Sequence, residues 1–212
     1  MSEESVMGFL ILIKGFVLGL SMIVPIGSQN AMILNQGIAR NHHLTTAALF
    51  ASYDILLIAL GVLGGSLLLS SNDMAFNVLS WGGIIFLLSY GALSFQQAIK
   101  STTISDGNIT NKKSYKVVII TTLVVTFLNP HVYIDTVMVI GSVGGQYQDN
   151  NKLLFMLGTM LASVVWFFTL AMSAAKLSVQ LNKPKVKRVI DIIVAMIMWS
   201  IAWSLYQGWV VH

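Results

Sequence analysis

Six long apolar segments, at residues 6–36, 44–70, 75–99, 115–145, 152–176 and 189–210, leave this chain few ways to fold. Crossing the hydrocarbon core of a bilayer takes about 20 apolar residues in a helix. Inside that core no water can satisfy the backbone, so such segments cross as helices that close their own hydrogen bonds. Only 9% of the residues are charged, against about 25% in an average soluble domain. So few charges cannot cover a soluble surface. The chain therefore reads as an all-α polytopic membrane protein with six transmembrane helices, residues 1–212 forming one transmembrane domain in a lipid bilayer. The acidic start MSEES and the length of the first apolar run argue for a retained span rather than a cleaved signal peptide. There is no cysteine, which excludes disulfides and thiolate chemistry.

The first and fourth segments are near 30 residues long, too long for one straight span, and each contains a proline. Pro25 lies in IVPIGSQNAM and Pro130 in FLNPHVYIDT. Proline removes a backbone donor and clashes with the preceding turn, so each segment is expected to break there. Asn30 follows Pro25 by five residues, and Asp135 follows Pro130 by five. The two prolines are 105 residues apart in a chain of 212. The chain reads as two repeat halves, about 6–100 and 115–210, joined by a loop at 101–114. Three spans per half is an odd number, so the halves are expected to be inverted, a recurring plan in secondary transporters.

Charge supplies the orientation. The net charge of +4 is modest, and ten of the twelve basic residues fall in loops 37–43, 100–116 and 176–188. The positive-inside rule puts these loops in the cytoplasm and both termini outside. The basic residues thus mark a membrane side, and nucleic acid is no expected partner. A homo-oligomer is compatible with the sequence.

Polar residues inside apolar segments carry the chemistry. Asp54, in ASYDILLIAL, and Asp135 are the carboxylates deepest in apolar sequence. An aspartate at mid-membrane costs about 2.5–3.5 kcal/mol on insertion scales and usually faces a bundle interior or aqueous cavity. Lys14 is the only lysine away from the ends of a segment, and its long stem suits snorkelling to the interface. Two acids with at most one internal base want a cation: a substrate, a proton, or a structural partner. Broken helices free backbone donors and acceptors, and half-helix ends suit the carboxylate and ammonium of an amino acid. Gln29, Asn30 and Asn129 either satisfy freed backbone groups or bind ligand. His131 either relays protons or caps carbonyls at the break. Asp191, three residues after Arg188, reads as an interfacial group complementing a helix dipole. The five tryptophans read as interface anchors, and the glycines of GVLGGSLLL and WGGIIFLLSYG as close-packing positions. No metal constellation, cofactor motif or nucleophile elbow is present, so an enzyme is not expected. The two-aspartate intramembrane protease is the enzymatic rival, and nothing in the flanks of Asp54 and Asp135 supports it. A cation-selective channel is the other alternative.

PIGSQNAMILNQGI resembles the signature after the first segment of the lysine exporter (LysE) family of bacterial amino-acid exporters. TFLNPHVYIDT, followed by GSVGGQ, is similar to the arginine-exporter branch of that family, and SYDILLI, WGGIIFLLSYGALSF, LGTMLASVVWFFTLA and MIMWSIA fit the same branch. The resemblance runs from about Gly15 to Trp203. Ser28 stands where the family often has a second proline, so a softer bend is expected after Gly27. The resemblance implies export of L-arginine, with lysine, canavanine or neutral amino acids as further candidates, across the bacterial inner membrane. It also implies that Asp54 and Asp135 matter. The residues by themselves specify only a cationic or zwitterionic solute, with proton antiport through an aspartate as the expected energy source.

Overall fold

The structure, a computed structural model, describes residues 3–25, 27–65, 81, 84–85, 88–89, 91–96, 98–99, 114–129, 132–181 and 183–210. All regular structure among these residues is helical. The first apolar segment forms α1 (Glu3–Ile23) and α2 (Ser28–Ile38) with a break between them. The second forms α3 (His43–Leu60), which runs on as a wider π-turn over Gly61–Gly65. The described residues of 81–99 are helical. The fourth segment forms α4 (Tyr115–Phe127) and then α5, which is π-wound over Tyr133–Ile140 and α-helical over Gly141–Gly145. The rest is α6 (Asp149–Lys176), the short α7 (Ser178–Leu181) and α8 (Pro184–Val210). Three of these helical stretches, Ser5–Ile23, His43–Gly64 and Asp149–Lys176, are each long and apolar enough to cross a membrane, and Tyr115–Phe127 and Tyr133–Gly145 are shorter apolar helices.

Both long segments break as expected. Val24 N–H donates to Leu20 C=O as the last bond of α1, Pro25 has no N–H to continue the ladder, and Ala31 N–H opens α2 on Gly27 C=O. In the fourth segment α4 ends at Phe127 and the chain leaves the helix at Asn129. Pro130 and His131, both expected to shape that break, lie outside the described residues.

Helix α6 is the spine. At 28 residues it is about 42 Å long, longer than the roughly 30 Å hydrocarbon core. Helices α1 and α2 lie along it in succession and parallel to it. A Cβ added at Gly15 would collide with Phe155 O, one at Gly158 with Leu12 O, and one at Gly37 would reach Ala174 Cβ at 2.5 Å. Without a hydrophobic drive between helices in lipid, such small-residue seams allow the close backbone approach that holds them together. Helix α3 runs antiparallel to α6, with Phe50 on Phe167 at 5.9 Å between ring centroids. Met32, Ile33, Ala47, Phe50, Val118, Val125, Phe167 and Ala171 form a buried apolar cluster shared by α2, α3, α4 and α6.

Loop 37–43, the start of α4 and the end of α6 meet at one end of the bundle. Arg40 and His42 adopt left-handed conformations there, φ 48° and 51°. Arg40 Nε donates to Ala175 O at 3.1 Å and Ser178 Oγ at 2.8 Å, and His42 meets the Tyr115 ring edge-on at 5.7 Å. His42 is half-buried there. Lys14 is exposed on the apolar outer surface of α1, as snorkelling requires.

Asp191 corrects the sequence reading. It lies two turns inside α8 and is 0% exposed, on the buried face with Val194, Ala195, Met198 and Ala202. An i, i+3, i+4, i+7 stripe of one charged and several apolar residues was taken for an interfacial end because Lys185, Lys187 and Arg188 precede it.

Replacing Gly158 by leucine is expected to separate α1 from α6. Overpacking a well-filled contact costs about 1–3 kcal/mol, occasionally more. Thermal denaturation in detergent should show a clear loss of stability. Gly145→Ala, where an added Cβ meets nothing within 4 Å, should be neutral.

Candidate functional site

The two breaks meet. Asn129 Nδ2, at the second break, donates to Ser28 Oγ, the first residue of α2, at 3.0 Å. Both residues are buried. Each break also closes its own loose backbone. Asn30 Nδ2 donates to Ile23 O at 2.7 Å and Pro25 O at 2.9 Å, the carbonyls that lose their helical donors at the proline. Trp166 of α6 fixes that amide by donating from Nε1 to Asn30 Oδ1 at 3.0 Å. At the second break the Tyr133 hydroxyl donates to Phe127 O at 3.1 Å. The Tyr133 hydroxyl thus serves the second break, and Asn129 reaches across to the first.

Asp54 sits beside this junction, 2% exposed. Ser163 Oγ of α6 donates to its Oδ2 at 3.1 Å, and Gln29 Nε2 of α2 lies 3.4 Å from its Oδ1. Gln29 Nε2 also lies 3.2 Å from Thr126 Oγ1 of α4. Helices α2, α3, α4 and α6 are thus tied through one buried polar cluster. A carboxylate costs several kcal/mol to bury alone, and these donors reduce that cost.

A cavity of about 450 Å³ opens where the breaks meet. Both carboxylates line it, Asp54 from α3 and Asp135 from α5. Ser21, Pro25, Gly27, Ser28, Gln29 and Asn30 line it from the first broken helix, and Asn129 and Thr136 from the second. Ile197 and Ser200 of α8 close it. Asp135 is half-buried, in contrast to Asp54. Among the described lining residues there is no lysine, arginine or histidine, so the cavity offers negative charge, neutral hydrogen-bonding groups and the N-terminal end of α2. That end has no side-chain cap and carries the partial positive charge of a helix N-terminus. The size falls within the range of small-molecule sites, about 300–1,000 Å³.

The model of one protein family, LysE type translocator, matches residues 20–208. The chain belongs to that family. It is 44% identical over 202 residues to the arginine exporter protein ArgO of Pectobacterium carotovorum, covering 95% of this chain and 99% of that protein. It is 44% identical to the arginine exporter protein ArgO of Salmonella paratyphi A, covering 94% of each. The same identity links it to the putative amino-acid transporter YggA of Aeromonas salmonicida, over 92% of this chain and 95% of that protein. No solved structure matches.

Of the residues singled out in this translocator's sequence, the structure brings together Pro25, Gln29, Asn30, Asp54, Asn129 and Asp135. Reading the sequence missed Ser28, Thr126, Ser163, Trp166 and the α8 contribution. Trp166 was taken for an interface anchor, yet it is half-buried and bonded to Asn30. Ser163 carried no local signal, because a serine in a helix most often bonds its own preceding turn, as Ser52 does with Ala48 O.

Removing the Ser163 hydroxyl should expose its role. Leaving a buried acceptor with one donor fewer costs about 1–3 kcal/mol. Ser163→Ala should therefore lower the thermal midpoint of the detergent-solubilised protein measurably, whereas Ser52→Ala should not.

Proposed function

We propose that this protein is a secondary transporter that exports L-arginine, with other basic amino acids as weaker substrates, across the bacterial inner membrane. One observation carries the reading: the cavity at the meeting of two helix breaks is lined by two carboxylates and, among the described residues, by no cation. The printed names of the arginine-exporter relatives supply the substrate, and the chemistry of the cavity agrees with it. Asp135, the more exposed acid, pairs with the guanidinium, whose planar fork suits a carboxylate. The uncapped start of α2, at Gly27, Ser28 and Gln29, receives the substrate carboxylate, and Ser21, Asn129 and Thr136 offer neutral partners to its ammonium. His131 and Pro130 belong to the same break by sequence.

The proposal includes six spans in two inverted halves that rock about the site. Support comes from matched contacts. Gly37 at the end of α2 packs on Ala171 and Ala174 of α6, and Gly141 in α5 packs on Gly61 of α3. The two glycines are 104 residues apart, and each presses the second half of a broken helix onto the next helix of the opposite half. The third segment pairs with α8, where Phe95 lies 5.6 Å from Trp199. Loops 37–43, 100–116 and 176–188 are placed in the cytoplasm, and both termini outside.

Moving a cation outward against an inside-negative potential costs about 2.3 kcal/mol per charge per 100 mV. Return of a proton offsets that. Asp54, enclosed and held by Ser163 and Gln29, is the group assigned to carry it, and Asp135 the group assigned to hold substrate.

Labelled L-arginine uptake into inverted membrane vesicles with an imposed proton gradient tests the reading. Uptake should be saturable, competed by lysine and not by leucine, and driven by the gradient. Asp135→Asn should lower it at least tenfold while the thermal midpoint of the protein holds. Non-saturable flux would identify a channel, and unchanged uptake in Asp135→Asn would remove that residue from the pathway.

A further inference from the structure

Gly27 is a glycine that neither the backbone nor the packing explains. Its φ of −110° and ψ of −172° are extended, a conformation open to any residue. At the other glycines along the helix contacts a Cβ would strike a neighbour. At Gly15 and Gly158 it would meet backbone, and at Gly19 it would meet Ala162 Cβ at 2.9 Å. At Gly61 and Gly141 the distances to neighbouring backbone would be 2.7 Å. At Gly27 a Cβ would meet nothing within 4 Å, although the residue is half-buried and lines the cavity. The missing side chain thus leaves open space at the start of α2, in the same cavity that Asp135 lines.

We infer that Gly27 is a specificity-determining residue: the absence of a side chain there sets the length of solute that fits between the start of α2 and Asp135. The inference rests on the transport reading above and adds a residue whose effect is steric. A glycine kept for packing would have a crowded Cβ, and one kept for conformation would have a positive φ; Gly27 has neither. Added volume at 27 shortens the cavity and excludes the longest basic amino acids first. In a fitted pocket one methylene alters discrimination by roughly 10–200-fold.

The test uses the full-length protein in proteoliposomes, as wild type, Gly27→Ala and Gly27→Val. Uptake of labelled L-arginine and of the shorter basic amino acid L-2,4-diaminobutyrate is measured for each, with thermal midpoints alongside. The expected result is a ratio of arginine to diaminobutyrate uptake that falls stepwise with volume, by at least tenfold from Gly27 to the valine variant. The loss should appear chiefly in the KM for arginine, with midpoints unchanged. A constant ratio across the series overturns the inference, whether both rates persist or both fall. Loss of folded protein in Gly27→Ala also overturns it, since the space at 27 would then be a packing requirement. If wild type carries neither solute, the transport reading itself fails, which the variants alone would not reveal.

Discussion

The polar contacts at the two breaks follow from what ending a helix inside a bilayer demands of the backbone. In lipid a freed carbonyl has no water to turn to, so each break demands a donor from nearby. Asn30 supplies two at the first break and the Tyr133 hydroxyl one at the second. Those side chains are polar because the backbone needs them to be. Once present, they need partners of their own, which is why Trp166 reaches Asn30 from α6 and why Asn129 bridges to Ser28. The cavity forms where this chain of obligations converges and helices cannot close-pack.

The two aspartates divide by environment. Asp54 lies on a straight helix whose neighbours α2 and α6 each present a donor. Asp135 lies on α5, where π-winding over Tyr133–Ile140 places more residues in each turn than an α-helix does. Both line the cavity, but one is almost wholly enclosed and the other half-buried. A pair of similar groups in unlike settings can take different partners, as the proposed exchange of arginine for a proton would need.

The helical class, the broken first and fourth segments and the two carboxylates that line the cavity were legible in the sequence. Apolar length, proline and an intramembrane charge are each costly enough to leave a local mark. Partners were harder to read. Ser163, Thr126 and Ser28 are ordinary residues in a helix, and only the packing of α6 on α3 and of α2 on α4 makes them part of the site. Asp191 was misplaced because the run of basic residues before it hid a buried stripe whose period continues to Ala202. Trp166 was misassigned because indole at a membrane interface and indole bonded inside a bundle look alike in one dimension.

The seam along α6 has a mechanical consequence. Helix α1 is fastened to it at Gly15 and Gly158, α2 at Gly37, and the turn beyond α2 through Arg40 to Ala175 and Ser178. The first broken helix is splinted end to end by an unbroken one. Among the described residues, the close glycine contacts of α5 centre on the π-turn Gly61–Gly65, whose Gly64 has φ 122°. The two breaks are thus held differently. In the rocking transport proposed above, the first is the jaw expected to stay fixed, and the second, which carries Asp135, the jaw expected to travel.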